Sequence, residues 1–272
     1  MSLTFTILGC GSSMGVPRVA LGWGACDPAN PKNRRRRCSL LVERSDSEGR
    51  RTSILVDTSP DLREQLLLAN VDSLDAVLFT HAHADHSHGI DDLRPLFIHR
   101  RRRVDVYMDD ATHRELQKKF HYCFETPPGS EYPAILEAHS LHAGRPLIVD
   151  GDGGPITVLP VLQVHGDIHT LGYRFGGLGY SCDINGLPEE SVAAFAGLEV
   201  WIVDALREAP HPSHFSLDDA LAWVNRLRPQ RAILTNLHAD LDYESLRQRL
   251  PPGVEPAYDG LKSTASLNSS KI

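Results

Sequence analysis

The densest group of side chains that could do chemistry lies at residues 80–86, which read Thr-His-Ala-His-Ala-Asp-His. Four potential metal ligands, three imidazoles and one carboxylate, fall within six residues. This donor set suits Zn, Mn or Fe and contains no thiolate. Ligands so close in sequence can hardly all reach one ion, and alternate residues of an extended segment point to opposite sides. We therefore predict two adjacent metal ions, with His81 and His83 on one and Asp85 and His86 on the other. The alternative is a solvated His-rich loop.

The elements that must position these side chains are strands that end at a His or an Asp. Residues 74–80 are mostly apolar and predict a buried strand directly before the cluster. In α/β sheets, ligands collect at the edge where strands end. Three more predicted strands end in this way: residues 156–164 before His165, residues 179–182 before Asp183, and residues 231–235 towards His238.

Turn and capping residues predict the remaining elements. Residues 39–43 and 52–57 are expected to pair as strands around a polar turn. Helices are predicted over residues 60–69 with Ser59 as N-cap, over residues 109–122, and over residues 217–227 with Ser216 as N-cap. Residues 17–37 are rich in Pro, Gly, Asn and Arg and predict a long functional loop.

The His-x-His-x-Asp-His pattern after an apolar strand resembles the metallo-β-lactamase superfamily, whose members are mostly binuclear hydrolases. The likeness extends over most of the chain, through residues 3–17, 55–58, 164–166, 181–183 and 234–238. These segments are similar to the branch that holds the phosphoribosyl cyclic phosphodiesterase of the carbon–phosphorus lyase pathway, with ribonuclease Z more distant. The resemblance implies an α/β (α+β) fold, a four-layer αββα sandwich with helices outside two packed sheets.

Further metal ligands are carried over from the resemblance. His165 and Asp183 match ligand positions by their motifs, and a carboxylate such as Asp183 can bridge two cations. The related phosphodiesterase has its last ligand immediately after Leu-Thr, where this chain has Asn236. We choose His238 instead, because period-two geometry returns residue 238 to the side that Asn236 occupies. The expected cofactors are two divalent ions, Zn or Mn.

His214 is the candidate general acid, because it precedes a predicted helix and matches a His that relatives place near the substrate. Imidazole titrates near neutrality and can protonate a leaving alkoxide there. His211 is the alternative for this role. Asp85 is assigned to the catalytic set as well as to the metal set. Asp57 is expected to orient a metal-bound His.

Substrate contacts are expected from two segments. The loop at residues 9–15 could present backbone N–H groups to a phosphate, with Ser12 and Ser13 beside it. Two basic runs, residues 34–37 and 100–103, read either as solvated faces or as phosphate contacts, and we place Arg37 in the substrate-binding set. His214 belongs to this set as well.

The whole chain bounds the function. With 272 residues it is long enough for one large domain, predicted at residues 1–260, followed by a polar tail at 261–272. A formal net charge of −7 argues against a generic nucleic-acid binder. No stretch has the apolar length of a membrane span or the pattern of a signal peptide, so we expect a cytoplasmic protein. The resemblance suggests a possible homodimer.

Five widely spaced cysteines argue against a disulfide scaffold. The related phosphodiesterase has a Cys-rich structural zinc motif after its first strand, where this chain has Cys26 alone. We therefore predict no structural zinc.

These observations predict a binuclear metal-dependent phosphodiesterase that hydrolyses a small, possibly cyclic, phosphate ester of ribose or a nucleotide through a metal-bridging hydroxide. Three alternatives stay open: a ribonuclease Z-like nuclease, a lactone or thioester hydrolase, and a non-enzymatic nucleotide or metal sensor. The chain has no long insert with a basic tip of the kind that ribonuclease Z uses to hold tRNA. Its intact set of candidate ligands favours an enzyme over a sensor.

Overall fold

The structure, a computed structural model, describes residues 2–267 and is a sandwich of two mixed β-sheets. In chain order the strands are β1 (Ser2–Gly9), β2 (Ser39–Ser45), β3 (Arg51–Val56), β4 (Ala76–Leu78), β5 (Val104–Met108), β6 (Leu136–Ser140), β7 (Leu147–Val149), β8 (Ile156–His165), β9 (Ile168–Phe175), β10 (Leu178–Ser181), β11 (Val200–Asp204), β12 (Arg231–Thr235), β13 (Val254–Pro256) and β14 (Lys262–Ser266). Within the described residues the first sheet has the order β14-β1-β2-β3-β4-β5-β6 and the second the order β13-β12-β11-β10-β9-β8-β7.

Helices cover the outer face of each sheet. They are α1 (Leu62–Leu68), α2 (Ala84–Ser87), α3 (Arg94–Arg100), α4 (Asp110–Phe124), α5 (Glu189–Val192), α6 (Leu217–Leu227) and α7 (Tyr243–Arg249). Leu62, Leu96 and Leu116 of α1, α3 and α4 belong to an apolar cluster on the first sheet. Leu217 and Leu246 of α6 and α7 do the same on the second. This layering confirms the predicted αββα sandwich.

The central core lies between the two sheets. Phe5, Leu40 and Ile54 of the first sheet meet Tyr173 and Ile202 of the second in one cluster, and each is fully buried. Strand alternation explains this, because in β1 every second side chain from Leu3 onwards is buried while its neighbours are exposed or half-buried. The core fixes the two sheets against each other, so the strand ends of both meet at one edge.

Several predicted elements are confirmed. Strands β2 and β3 pair antiparallel, and α4 begins after Asp109, whose side chain accepts a hydrogen bond from the N–H of Thr112. Helix α6 spans the predicted residues and begins with a capping box between Ser216 and Asp219. Ser59, however, is not the N-cap of α1. Its hydroxyl accepts from the N–H of Asp61 in a turn that delays the start of the helix to Leu62.

The predicted polar tail is wrong over Lys262–Ser266. These residues form β14, which pairs antiparallel with β1, and Ala265 is buried in the central core. An edge strand needs only one apolar face, so its polar composition concealed it. The rest of the predicted tail beyond residue 267 lies outside the described residues.

The first basic run is not simply a solvated face. Arg35 is 2% exposed, and its guanidinium donates to the backbone carbonyls of His238 (3.1 Å) and Leu241 (2.6 Å). This side chain therefore ties the loop of residues 17–37 to the segment after β12. Arg100–Arg103, by contrast, are exposed.

Candidate active site

The chemistry-bearing residues collect where strands of both sheets end. Asp57 follows β3, Asp183 follows β10 and Asn236 follows β12, and all three have left-handed backbones with φ of 63°, 51° and 60°. Asp and Asn tolerate this conformation better than most residues. Leaving the extended conformation at this point turns each side chain out of the strand alternation. Each of the three is buried beside the histidine cluster.

Three buried histidines are held through Nδ1, which directs Nε2 into one common space. The Nδ1 of His86 lies 2.7 Å from Asp57 Oδ2, and that of His165 lies 2.6 Å from the carbonyl oxygen of Ser213. The Nδ1 of His81 lies 3.0 Å from Thr80 Oγ1, whose own proton is donated to Asp57. Each Nδ1 is therefore the protonated nitrogen, and each Nε2 carries a free lone pair.

The first group of potential ligands consists of His81, His83, His165 and Asp183, with one donor atom of each within 4.8 Å of the others. Asp183 Oδ2 lies 3.6 Å from His81 Nε2 and 3.5 Å from His165 Nε2. Two atoms bound to one zinc ion at tetrahedral angles are about 3.3–3.6 Å apart. The spacing of the first group therefore fits a shared metal ion.

The second group uses the other oxygen of the same carboxylate. Asp183 Oδ1 lies 3.2 Å from His86 Nε2, which is itself 3.5 Å from Asp85 Oδ2. Asn236 also reaches Asp183 Oδ1, with its Nδ2 at 3.0 Å. Asp183 thus faces both groups, one oxygen to each.

Burial and charge in this cluster favour bound cations. Burial lowers the pKa of His81, which keeps its imidazole neutral, and its buried Nε2 has no hydrogen-bond partner among the described residues. Burial also acts to lower the pKa of His86, but the carboxylates of Asp183, Asp85 and Asp57 outweigh it and raise that pKa well above its ordinary value. An unpartnered lone pair and three carboxylates around one imidazole both call for positive charge. The residues present therefore fit divalent metal ions.

His214 forms a separate pair with a buried carboxylate beside the second group. Its Nδ1 lies 2.7 Å from Asp204 Oδ2, and Asp204 is fully buried at the end of β11. Burial acts to lower the pKa of His214, but Asp204 and Asp183 outweigh it and raise the pKa to about 9. Burial raises the pKa of Asp204 to about 6. At pH 7 the pair is therefore an imidazolium and a carboxylate, with His214 Nε2 left to donate.

A cavity of about 180 Å³ opens on this arrangement. Its walls are mostly polar: Ser12, Ser13, Met14, Asp85, Leu206, Arg207, His211, His214, Asn236 and His238. Ser12 is 3% exposed, and its hydroxyl has no hydrogen-bond partner within residues 2–267. A buried hydroxyl without a partner beside a cavity is a group that a ligand can satisfy.

Comparisons with known proteins agree with this geometry. A family model described as a beta-lactamase superfamily domain matches residues 52–236. A solved structure described as a new diphosphatase from the PhnP family superposes with a TM-score of 0.86, at 35% identity, over 97% of this chain and 98% of that chain. The chain belongs to the metallo-β-lactamase superfamily.

Within the metallo-β-lactamase superfamily the chain falls in a PhnP-like branch, and it is a metal-dependent hydrolase. An octanoyltransferase of Porphyromonas gingivalis is 34% identical over 269 residues, which are 98% of this chain and 52% of that protein. The chain therefore spans about half the length of this curated relative. The short form of human tRNase Z has a TM-score of 0.64 at 17% identity over 96% of this chain and 98% of that chain, a likeness of fold alone.

The structure places most of the predicted site residues together, but by a different local geometry. His81, His83, Asp85, His86, His165 and Asp183 all lie in the two groups. The segment does not stay extended, because β4 ends at Leu78 and Ala84–Ser87 form a helical turn. This turn, rather than strand alternation, separates Asp85 and His86 from His81 and His83.

Two predicted site residues are not brought to the cluster. His238 has its Nε2 2.9 Å from Arg18 Nη1 and its Nδ1 2.9 Å from Asp240 Oδ2, and it joins neither ligand group among the described residues. The alternation argument fails because β12 ends at Thr235 and Asn236 is left-handed. Arg37 lies outside the cavity, because its Nε pairs with Asp61 Oδ2 at 3.0 Å.

The sequence analysis missed Asp204 and gave Asn236 no role. Asp204 ends an apolar strand in the same way as the residues before Asp183, so the strand-end pattern could have identified it. Nothing local in the sequence indicates that Asn236 contacts Asp183. The cysteines are all free and buried, so the expected absence of a disulfide scaffold agrees with the structure. None of the helices within residues 2–267 has the length and hydropathy that a bilayer crossing demands.

Proposed function

We propose that this protein hydrolyses a phosphodiester or diphosphate bond in a small phosphorylated substrate, such as a cyclic ribose phosphate or a nucleotide. The observation that carries the proposal is the His214–Asp204 pair beside the two ligand groups, in one polar cavity. The similarity to a PhnP-family diphosphatase supports it. The cavity of about 180 Å³ is smaller than most ligand pockets, which favours a small substrate over RNA.

The two ligand groups are suited to hold two divalent ions, Zn or Mn, that share Asp183. Such ions would neutralise phosphoryl oxygens and lower the pKa of water. The chain itself holds the imidazoles in place through Asp57, Thr80 and the Ser213 carbonyl. Ser12 can donate its free hydroxyl proton to a phosphoryl oxygen.

His214 is placed to protonate the leaving group. When the bond from phosphorus to the leaving oxygen breaks, the Nε2 proton passes to that oxygen and the imidazole becomes neutral. Asp204 keeps its negative charge and holds Nδ1 throughout, which fixes the ring orientation. A group of this kind contributes about 10²–10⁴-fold to the rate when the leaving group is a poor one.

The test compares wild type with His214→Ala on two substrates after metal reconstitution, with metal content measured on the same samples. One substrate is bis-p-nitrophenyl phosphate, whose leaving group needs no acid. The other is a 2′,3′-cyclic nucleotide, whose leaving group is an alkoxide. We expect unchanged metal content, a small loss on the first substrate and a loss of about 10²-fold or more on the second.

His211→Ala is the matched control. His211 lines the same cavity but has no carboxylate partner, and burial lowers its pKa. If the loss that depends on the leaving group appears in His211→Ala instead, His211 is the acid. Equal losses on both substrates in His214→Ala would count against an acid role.

A second candidate, hydrolysis of an acyl thioester, is favoured by the match to an octanoyltransferase. The cavity argues against it, because an octanoyl chain needs an apolar groove and only Met14 and Leu206 of the walls are apolar. Turnover of octanoyl-coenzyme A without turnover of any phosphodiester would reverse this preference.

A further inference from the structure

We propose that the two metal positions are chemically unequal. The first is rich in imidazole and the second is rich in oxygen, because the side chain that closes the second group is the amide of Asn236. The second ion is then held more weakly than the first, and Mn²⁺ competes with Zn²⁺ there. This proposal depends on metal binding at the site and not on the identity of the substrate.

Asn236 is buried at the second group and reaches its central ligand. It is 2% exposed, and its amide Nδ2 lies 3.0 Å from Asp183 Oδ1 and 3.1 Å from His214 Nδ1. His214 Nδ1 already donates its proton to Asp204 Oδ2 at 2.7 Å, so it has no lone pair for the amide N–H. The contact between Asn236 and His214 is therefore satisfied only when the carbonyl oxygen of the amide faces the ring.

That orientation points the amide oxygen at Asp183 Oδ1 as well. Two oxygens at about 3.0 Å repel each other unless a cation lies between them. The same distance is common between two oxygen ligands of one ion in octahedral geometry, about 2.1 Å from each. The position of Asn236 is therefore best satisfied with a hard cation in the second group.

The nitrogen donors of the two groups differ in number. His81, His83 and His165 supply three imidazoles to the first group, whereas His86 is the single imidazole of the second among the described residues. An amide nitrogen has no lone pair to give a metal, so Asn236 can only offer oxygen. Imidazole suits Zn, and carboxylate and carbonyl oxygen suit Mn and Mg.

Cys182 is the other donor near the second group. Its Sγ is fully buried and donates to Asp183 Oδ1 at 3.3 Å. The thiol proton thus occupies an acceptor of the shared carboxylate, and the sulfur acts as a hydrogen-bond donor. The second group is left with Asp85, His86, Asp183 and the Asn236 oxygen.

The test is a metal titration that uses no substrate. Metal-free protein is titrated with Zn²⁺ against a chromophoric chelator, and protein loaded with one equivalent of Zn²⁺ is then titrated with Mn²⁺ by electron paramagnetic resonance. We expect two Zn²⁺ steps, the second weaker by about 10-fold or more, and Mn²⁺ binding at the second step. Asn236→His should tighten the second Zn²⁺ step by about 10–100-fold, leave the first unchanged and weaken Mn²⁺ competition.

Asn70→His is the matched control, because Asn70 is exposed and has a left-handed backbone like Asn236, with φ of 53°. It should leave both steps unchanged. If Asn236→His does not fold, Asn236→Asp carries the same test, since a carboxylate of nearly the same shape should also tighten the second step.

Two results would overturn the proposal: two Zn²⁺ steps of equal affinity in wild type, or a second step that neither variant changes. A thiolate charge-transfer band in the Co²⁺-loaded protein would do so as well, because it would make Cys182 a ligand. Failure of the phosphodiester assay would leave this titration unaffected, so the two proposals fail separately.

Discussion

Asp57 shows at the scale of one residue how the site is prepared for metal. It is fully buried, and its carboxylate accepts from the backbone N–H of Thr80 (2.8 Å), the Thr80 hydroxyl (2.8 Å) and His86 Nδ1 (2.7 Å). Through Thr80 it also fixes His81 Nδ1. One carboxylate therefore sets the ring orientation of a histidine in each ligand group.

Asp57→Asn is expected to lower metal affinity with little change in fold. An amide of the same shape cannot accept all three hydrogen bonds and has no charge to hold the His86 tautomer. We expect affinity to fall by about 10–100-fold, measured by chelator competition.

Asp46→Asn is the control, because Asp46 lies in the turn between β2 and β3 and contacts Arg50. Unchanged affinity in Asp57→Asn, with the protein folded by circular dichroism, would contradict the role assigned to Asp57.

At the scale of elements, the site could be predicted from strands that end at a His or an Asp, because apolar runs followed by such residues are local patterns. His165 and Asp183 were found in this way. His238 was not placed correctly, because the left-handed backbone at Asn236 stops the alternation, and a single Asn does not announce that conformation. The α2 turn was missed for a similar reason, since four residues are too few to show helical periodicity.

Helix α7 gives a pH-dependent prediction at this scale. Burial acts to raise the pKa of its N-cap Asp242, but hydrogen bonds from the N–H groups of Ser245 and Asp27 and from Asn33 outweigh it and lower the pKa to about 2. A folded pKa below the unfolded value means that the stabilisation is present above about pH 4 and is lost as pH falls towards 2.

Asp242→Asn should therefore lower the free energy of unfolding by about 1 kcal/mol at pH 7, and the difference should vanish near pH 2. Urea denaturation of both proteins at a series of pH values measures this. A difference that does not change with pH would mean that the charge of Asp242 is unimportant to α7.

At the scale of the whole molecule, the two sheets are linked by hydrogen bonds as well as by the core. The hydroxyl of Tyr173 in β9 donates to the carbonyl oxygen of Phe79 (2.5 Å), and the N–H of Leu171 donates to the carbonyl of Thr80 (3.0 Å). These bonds connect the second sheet to the segment that leads into His81. The position of the first ligands thus depends on sheet packing.

Tyr173→Phe should lower the free energy of unfolding by about 1–2 kcal/mol, because it leaves the buried Phe79 carbonyl without this donor. Chemical denaturation measures the change, and Tyr132→Phe, at a side chain that is 78% exposed, is the control. Equal stability of Tyr173→Phe and wild type would show that the bond does not contribute.

The sandwich architecture was predictable from the superfamily resemblance, but its long-range pairings were not. Strand β14 pairs with β1 across nearly the whole chain, and its local sequence is polar. Asp204 reaches His214 only through the packing of the loop before α6 against the end of β11. Pairings of this kind depend on the assembled sheets and leave no periodic pattern in the sequence.

The most direct test of the account is hydrolysis of bis-p-nitrophenyl phosphate by the metal-reconstituted protein, with metal content measured on the same samples. We predict about two metal ions per chain, and turnover that chelation abolishes and metal restores. Full metal occupancy with no turnover of this or any other phosphodiester would contradict the proposed function.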